Sequence, residues 1–441
     1  MEIYKLDSVD DLTPQNIKAL IKRYKTNEVP RIKRLFDYYK GNSDIKKRMM
    51  EDANKPNNKI DTNFSSYIAD TINGYFMGKP VNYQAGESGK MLLAHLQLIM
   101  DKNHEETHNQ KVAKSTSIAG IGYELLYTDD KGNIRFKDIS PLSSFLIYDT
   151  SIEENVLAGV WFEETMDYVK KRVKTIARVY TDSAIKTYEY SGASLKQIEE
   201  QENLFKEVPL HACINNTELI GDFERIMDLQ DAYNSAVSNT ANDLDYFSDS
   251  YLIIKGLEVE DDEELRDMKN NKIFHFEDSN GDVKWLTKSD VDMNIENYKD
   301  RLEKKIVQIS GVPDLSSESF GANLSSIAIR MKMLGLEQKV AIKENFYSEF
   351  LEKRIQMITN ILNLTTSTGS DYDESDVTFV FKRNLPVNLT EESQWALNMK
   401  GILSHETILA NLAQVDDVEN EVQKINKEQE DSLPIYTDFG K

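Results

Sequence analysis

The chain has 441 residues, 40% of them hydrophobic and 29% charged, which describes a folded protein long enough for several domains with sizeable cores. Lys and Arg number 53 against 75 Asp and Glu, a formal charge of −22. That balance argues against a protein that grips nucleic acid on a basic face, although not against one that DNA slides past. The one cysteine, Cys213, excludes a disulfide framework or cysteine-rich zinc module, and with no signal peptide and no apolar run near the ~20 residues of a membrane span, a soluble protein is expected.

In chain order, Thr13-Pro14 predicts a capped helix with Ile17, Leu20 and Ile21 on its apolar face. A second helix is predicted over 29–40, stopped by Gly41. In a third, Ile68, Ile72 and Phe76 line one face before Gly78 and Pro80 end it. The segments 123–127 and 134–137 read as a hairpin around a Gly132 turn, and 178–180 with 185–190 as another. Residues 1–221 are therefore expected to form an α+β domain.

From Asp222 the pattern changes. Phe223, Ile226, Leu229, Tyr233, Ala236, Thr240 and Leu244 recur every three or four residues, predicting a long helix over 222–247. A strand-rich insertion over 248–290 follows, with a hairpin expected between 272–276 and 283–286 around Asn280-Gly281. A second helix over 291–310 is stopped by Gly311 and Pro313. After a loop at 311–323, Ile329, Met333, Leu336, Val340, Tyr347, Leu351, Ile355, Ile358 and Leu362 form one stripe of a helix over 324–364, about 60 Å long. A polar linker and a strand at 377–382 occupy 365–389, and a polar helical region fills 390–441.

His104-Glu-Glu-Thr-His108 matches the zinc-protease pattern, in which two histidines share a helix face and the glutamate activates water. Its flanks are polar, so the segment reads as a solvated surface helix, with a zinc-dependent hydrolase as the enzymatic alternative. Gly86-Glu-Ser-Gly-Lys90-Met91 has too short a glycine spacing for a phosphate loop and lacks its Ser or Thr. Gly120-Ile-Gly122 precedes a strand and reads as close strand packing. Cys213 reads as structural. No catalytic residue, metal ligand or cofactor is assigned.

Lys299, Arg301, Lys304 and Lys305 form a basic run in an acidic chain, either a solvated face or a set of transient phosphate contacts. The following loop carries Ser316, Ser317, Glu318, Ser319 and Phe320, its one large apolar residue. Long loops between long helices are often functional, and a plain surface connection is the other reading.

Taken together, several segments resemble the portal proteins of long-tailed double-stranded DNA bacteriophages of Gram-positive hosts. They are Tyr38-Tyr-Lys-Gly41, Asn58-Lys-Ile-Asp-Thr-Asn63, Tyr75-Phe-Met-Gly-Lys-Pro80, Gly120-Ile-Gly-Tyr-Glu-Leu-Leu-Tyr127, Ile139-Ser-Pro141, Phe223-Glu-Arg-Ile-Met-Asp-Leu-Gln-Asp-Ala-Tyr233, Ser310-Gly-Val-Pro-Asp314 and Gly321-Ala-Asn-Leu-Ser325. Their order and spacing carry the resemblance over nearly the whole chain, weakening after about Ser404. It implies a homo-oligomeric ring, usually of twelve subunits, at one capsid vertex of a virion made in the host cytoplasm. Double-stranded DNA would pass through the ring. The terminase large subunit, a head-completion or connector protein, scaffold and major capsid protein would be its partners, and no membrane would be involved.

The resemblance also implies a portal-type division: wing at 1–221, stem helices at 222–247 and 291–310, clip at 248–290, tunnel loop at 311–323, a bridging helix at 324–364, a wing strand within 365–389 and a short crown and tail at 390–441. Lys299, Arg301, Lys304, Lys305, Ser316, Ser317, Glu318, Ser319 and Phe320 are then the DNA-channel candidates. A different head-assembly structural protein is the remaining alternative.

Overall fold

The computed structural model describes residues 2–52, 55–167, 172–191, 194–248, 252–255, 282–285, 291–315, 326–365, 371–384, 389–412, 415 and 418–432. Local chemistry sets the first helices. Thr13 Oγ1 accepts from the Asn16 N–H at 3.3 Å and Pro14 opens α1 (Pro14–Asn27). α2 (Val29–Tyr39) stops before Gly41, whose φ of 74° suits a residue without a Cβ. α3 (Phe64–Met77), α4 (Lys90–Lys102) and α5 (Glu105–Ala119) complete the N-terminal helices.

The strands among them are β1 (Tyr4–Lys5), β2 (Asn82–Ala85), β3 (Ile121–Thr128), β4 (Ile134–Ile139), β5 (Ser144–Tyr148), β6 (Val156–Asp167), β7 (Arg172–Tyr180), β8 (Ala184–Ser191), β9 (Ser194–Glu202) and β10 (Leu210–Ile214). Six of them form a sheet in the order β1-β5-β6-β7-β8-β9, antiparallel except where β1 runs parallel to β5. A three-stranded antiparallel sheet has the order β10-β3-β4. Both expected hairpins, β3–β4 and β7–β8, are present. Gly120 ends α5 at φ 82°, and a Cβ on Gly122 would sit 3.0 Å from the Val112 carbonyl oxygen, so this glycine pair lets β3 lie close against α5.

Next come α6 (Met227–Ser248), β11 (Leu252–Lys255), β12 (Asp282–Trp285), α7 (Val291–Ser310), α8 (Ser326–Thr365), β13 (Val377–Val380), α9 (Leu389–Met399), α10 (His405–Ala410) and α11 (Val418–Ser432). β12 pairs antiparallel with β11, whereas the strand expected at 272–276 lies outside the described residues. β13 pairs with β2 and so ties the chain's last described strand to its first third. The result is an α+β protein.

α8 runs for 40 residues, about 60 Å, and serves two cores. Met333, Leu336, Val340, Tyr347 and Leu351 pack with α3, α5 and the start of α6, whereas Ile355, Ile358 and Ile361 pack with α4, β4 and β13. A further core lies between α1, α2 and the six-stranded sheet. Among the described residues no helix is long and apolar enough to cross a membrane.

Candidate functional site

α6 and α7 pack along each other, and α7 ends against the 3-10 turn Glu224–Ile226 that leads into α6, so the two run antiparallel. Leu302 and Ile306 form the buried side of α7. Burial and the α7 carboxylates Glu303, Glu296 and Asp300 push the Tyr233 phenol on α6 up, which places an acidic side of α7 beside α6. At about 100° per residue, Arg301, Lys304 and Lys305 share a face turned away from Leu302 and Ile306, and all three are exposed. Lys305 reaches Gln308 Oε1 at 2.9 Å. Lys299 does not join them. It falls on the Leu302–Ile306 side, its side chain is 12% exposed, and it is ion-paired to Glu296.

The chain then turns at Gly311 (φ 68°), backbone against backbone with α8. A Cβ on Gly311 would lie 3.3 Å from the Gly335 carbonyl oxygen, and one on Gly335 would lie 3.1 Å from the Gly311 carbonyl oxygen. A mid-helix glycine costs about 1 kcal/mol relative to alanine, and this contact is the reason for it. Tyr67 clamps the same turn: its hydroxyl donates to the Pro313 carbonyl at 2.8 Å and accepts from the Leu315 N–H at 3.0 Å. Ser316, Ser317, Glu318, Ser319 and Phe320 lie outside the described residues.

The most buried face of α6 is polar. Leu229, Tyr233, Ala236 and Thr240 are half-buried and Leu244 is 68% exposed, whereas Gln230, Asn234, Ser238 and Asn242 are buried. These four, spaced four apart, accept backbone N–H groups from the segment before α3 and from its first turn. Asn58 N–H donates to Asn242 Oδ1 at 2.6 Å, Ile60 to Ser238 Oγ at 2.9 Å, Thr62 to Asn234 Oδ1 at 3.0 Å and Ser65 to Gln230 Oε1 at 3.1 Å. Four helical residues rise about 6 Å and two extended residues about 6.6 Å, so Asn242, Ser238 and Asn234 meet the alternate amides of 58, 60 and 62, and Gln230 meets Ser65 in the first turn of α3. Asp61 braces it: burial works against its charge, but the Ser43 and Asn63 N–H groups, each at 2.9 Å, hold its carboxyl below the usual range.

The reading of 104–108 as a solvated helix is overturned. His104 is exposed and has a left-handed backbone (φ 52°) at the cap of α5, while Glu105 and His108 are buried. The two histidines therefore do not share a helical face. His108 is bonded to Glu124 on β3, and Arg354 on α8 closes the cluster. Its Nε donates to Glu124 Oε1 at 2.8 Å, one Nη to Glu124 Oε2 at 2.7 Å and the other to Glu105 Oε1 at 3.2 Å. Burial pushes the Glu124 carboxyl up, but Arg354 and His108 outweigh it and hold it far below the usual range. Among the described residues, no group of three or more His, Cys, Asp or Glu could hold a metal ion.

Two neighbours complete this interior. His211 on β10 stacks on Phe350, with ring centroids 4.7 Å apart, and burial lowers it to about 4 although Glu124 is 3.4 Å away. Lys343 on α8 donates to Ser117 Oγ at 2.5 Å and pairs with Asp222 at 2.8 Å. Cys213 is buried and its thiol is pushed up by burial, a structural cysteine as expected. Buried charges paired in this way fix helices and strands in register.

Comparison with known proteins gives the family. The family described as "Phage portal protein, SPP1 Gp6-like" matches residues 18–434. The portal protein of Clostridium phage phiCD119 is 25% identical over 425 residues, covering 89% of this chain and 90% of that protein. The portal protein of Bacillus phage SPP1 is 23% identical over 420 residues, covering 89% of this chain and 82% of that protein. The chain thus belongs to the SPP1 Gp6-like family of phage portal proteins.

Proposed function

We propose that twelve copies of this chain form the ring at one vertex of a phage capsid, through which double-stranded DNA enters during packaging and leaves at ejection. The antiparallel pair α6–α7 is the stem, and 248–290 between them the clip. The turn anchored at Gly311 opens the tunnel loop 311–323, α8 bridges wing and crown, and 390–441 forms the crown and tail. The carrying observation is that α7 presents Arg301, Lys304 and Lys305 on one exposed face immediately before that anchored turn. Phosphate affinity grows with the number of cations that neutralise it, so a conduit works best with few. In a chain of net charge −22, three such side chains per subunit touch passing phosphates without trapping the duplex. As a virion component, the ring would dock the terminase large subunit at the clip, join a head-completion connector, and meet scaffold and major capsid protein at its rim.

Electron microscopy of the purified protein tests the assembly: closed rings around a channel wide enough for duplex DNA are expected. A different closed assembly without a through-channel would replace this reading with another head-assembly role. Substituting Lys304→Ala together with Lys305→Ala is expected to leave ring assembly intact while changing the length or retention of packaged DNA. Loss of rings in the purified double variant would refute that role.

A further inference from the structure

A cleft of about 1160 Å³ lies between α8, β10, β13 and the ends of β5 and β6. It exceeds the ~300–1,000 Å³ of small-molecule pockets, so its size suits a protein surface better than a metabolite. Phe346 and Phe379 line it beside apolar residues of β10. Its described lining carries five glutamates and one lysine, Lys353, which is 3.7 Å from Glu207. Glu349 and Glu352 stand exposed along its α8 rim. The cleft is thus apolar within and negative at the rim, and its complement is a surface that sets cations around an apolar knob.

The chain presents such a surface. Residues 18–48 contain 11 Lys and Arg against 3 Asp and Glu, a net +8 in a chain of −22, so everything outside them carries −30. This basic stretch ends in α2 and the 3-10 turn Asp44–Lys47, held together by the Arg34–Asp44 pair at 2.9 Å. Lys33 and Lys40, seven apart and so on one face of α2, are exposed, as are Lys46 and Lys47 on the turn. Immediately beyond stand Met49, 90% exposed, and Met50. Methionine's unbranched, adaptable side chain suits an irregular apolar groove.

The knob is fixed away from the cleft of its own chain. Arg48 pins it to α6 and to the segment before α3, donating to Asn239 Oδ1 at 2.8 Å and to the Asn58 carbonyl at 2.6 Å. Between α2 and the cleft stand α5 and β3. Lys114 of α5 lies 4.6 Å over the Tyr39 ring of α2, the Val112 backbone of α5 abuts Gly122 of β3, and β3 pairs with β10, which lines the cleft. A subunit so built cannot fill its own cleft, whereas a second copy can. A contact between unlike patches, repeated from copy to copy, is head-to-tail, the kind that closes into rings.

We propose that residues 46–50 of one subunit, flanked by Lys33 and Lys40, dock in the glutamate-rimmed cleft of its neighbour, an inference that rests on the ring reading. The contact sets positive against negative charge between subunits that otherwise repel.

The test combines electron microscopy with crosslinking. In a chain carrying Lys47→Cys and Glu352→Cys, a short thiol crosslinker is expected to produce a covalent ladder of multimers, which neither single variant forms; native Cys213 is buried. Lys46→Glu with Lys47→Glu is expected to raise the protein concentration needed for assembly by about tenfold or more, and Glu349→Lys with Glu352→Lys to restore it. Met49→Ser, at a side chain 90% exposed within its own subunit, is expected to weaken assembly while leaving the thermal midpoint of the unassembled chain unchanged. Rings that form without a ladder, or with one that stops at the dimer, or a charge reversal that leaves assembly unchanged, would overturn the docking and leave the ring reading standing. Absence of rings in the unmodified protein would overturn both, and is seen before any crosslinker is added.

Discussion

Replacing Arg354 by leucine is expected to destabilise the fold by about 3–5 kcal/mol, because it leaves Glu124, which is fully buried, without its main counter-charge. The guanidinium holds Glu124 at both oxygens, Glu105 at a third bond and Asn109 at a fourth, while stacking over Phe136 and Phe350 at 4.7 and 5.0 Å. Lysine cannot reproduce that fork, so Arg354→Lys is also expected to lose most of the stability. The readout is the thermal midpoint of the purified protein, with a drop of about 3–5 °C. Adding Glu124→Gln to the leucine variant is expected to recover part of the loss, since it removes the stranded charge. A double variant no more stable than Arg354→Leu would mean that lost packing, not the orphaned carboxylate, dominates.

The second large effect is a pH dependence centred on His211. Its folded value of about 4 lies below the ordinary 6.5, so the unfolded chain takes up the proton first as pH falls. The stabilisation is therefore complete above about pH 6.5 and is lost progressively down to about pH 4, amounting to about 3 kcal/mol across that window. Burial is the cause; Glu124 opposes it, while Arg354 and His108 reinforce it. His211→Leu keeps an apolar body against Phe350 and removes the titration. The difference in unfolding free energy between the two proteins, measured from pH 7 to pH 4, should shift by that amount in favour of the variant on acidification. A difference that stays flat with pH would show that His211 is protonated, or hydrated, in the folded state.

Much of the fold was legible because local rules agreed with the tertiary outcome. Thr13-Pro14, Gly41, Gly78 and the hairpin turns punctuate the chain where expected. The α8 stripe was legible except in what interrupts it. Between Val340 and Tyr347 stands Lys343, and beside Ile355 stands Arg354, both at core-facing spacing and both buried. Charges on an apolar stripe, like Glu124 inside an apolar strand, are the signal that marks the interior ion pairs. Their partners are up to 249 residues away in sequence, so spacing alone could not name them. The 104–108 segment was misread because polar flanks describe only nearby sequence, whereas β3 and α8 cover the helix from elsewhere. On α6 the apolar positions drew attention from the Gln230, Asn234, Ser238, Asn242 row, whose burial depends on an extended segment that periodicity does not see.

That row has a mechanical consequence. The segment from Asn58 to Ser65 lies along α6 with its amides fastened at successive turns. A pull along the helix axis loads all four fasteners at once, in shear, so no single bond bears the force and none can be peeled ahead of the next. A sideways pull from the Asn58 end opens them one at a time and meets far less resistance. The joint between α6 and the N-terminal domain is thus strong in the direction of the helix and weak across it, as a strap riveted along a beam would be.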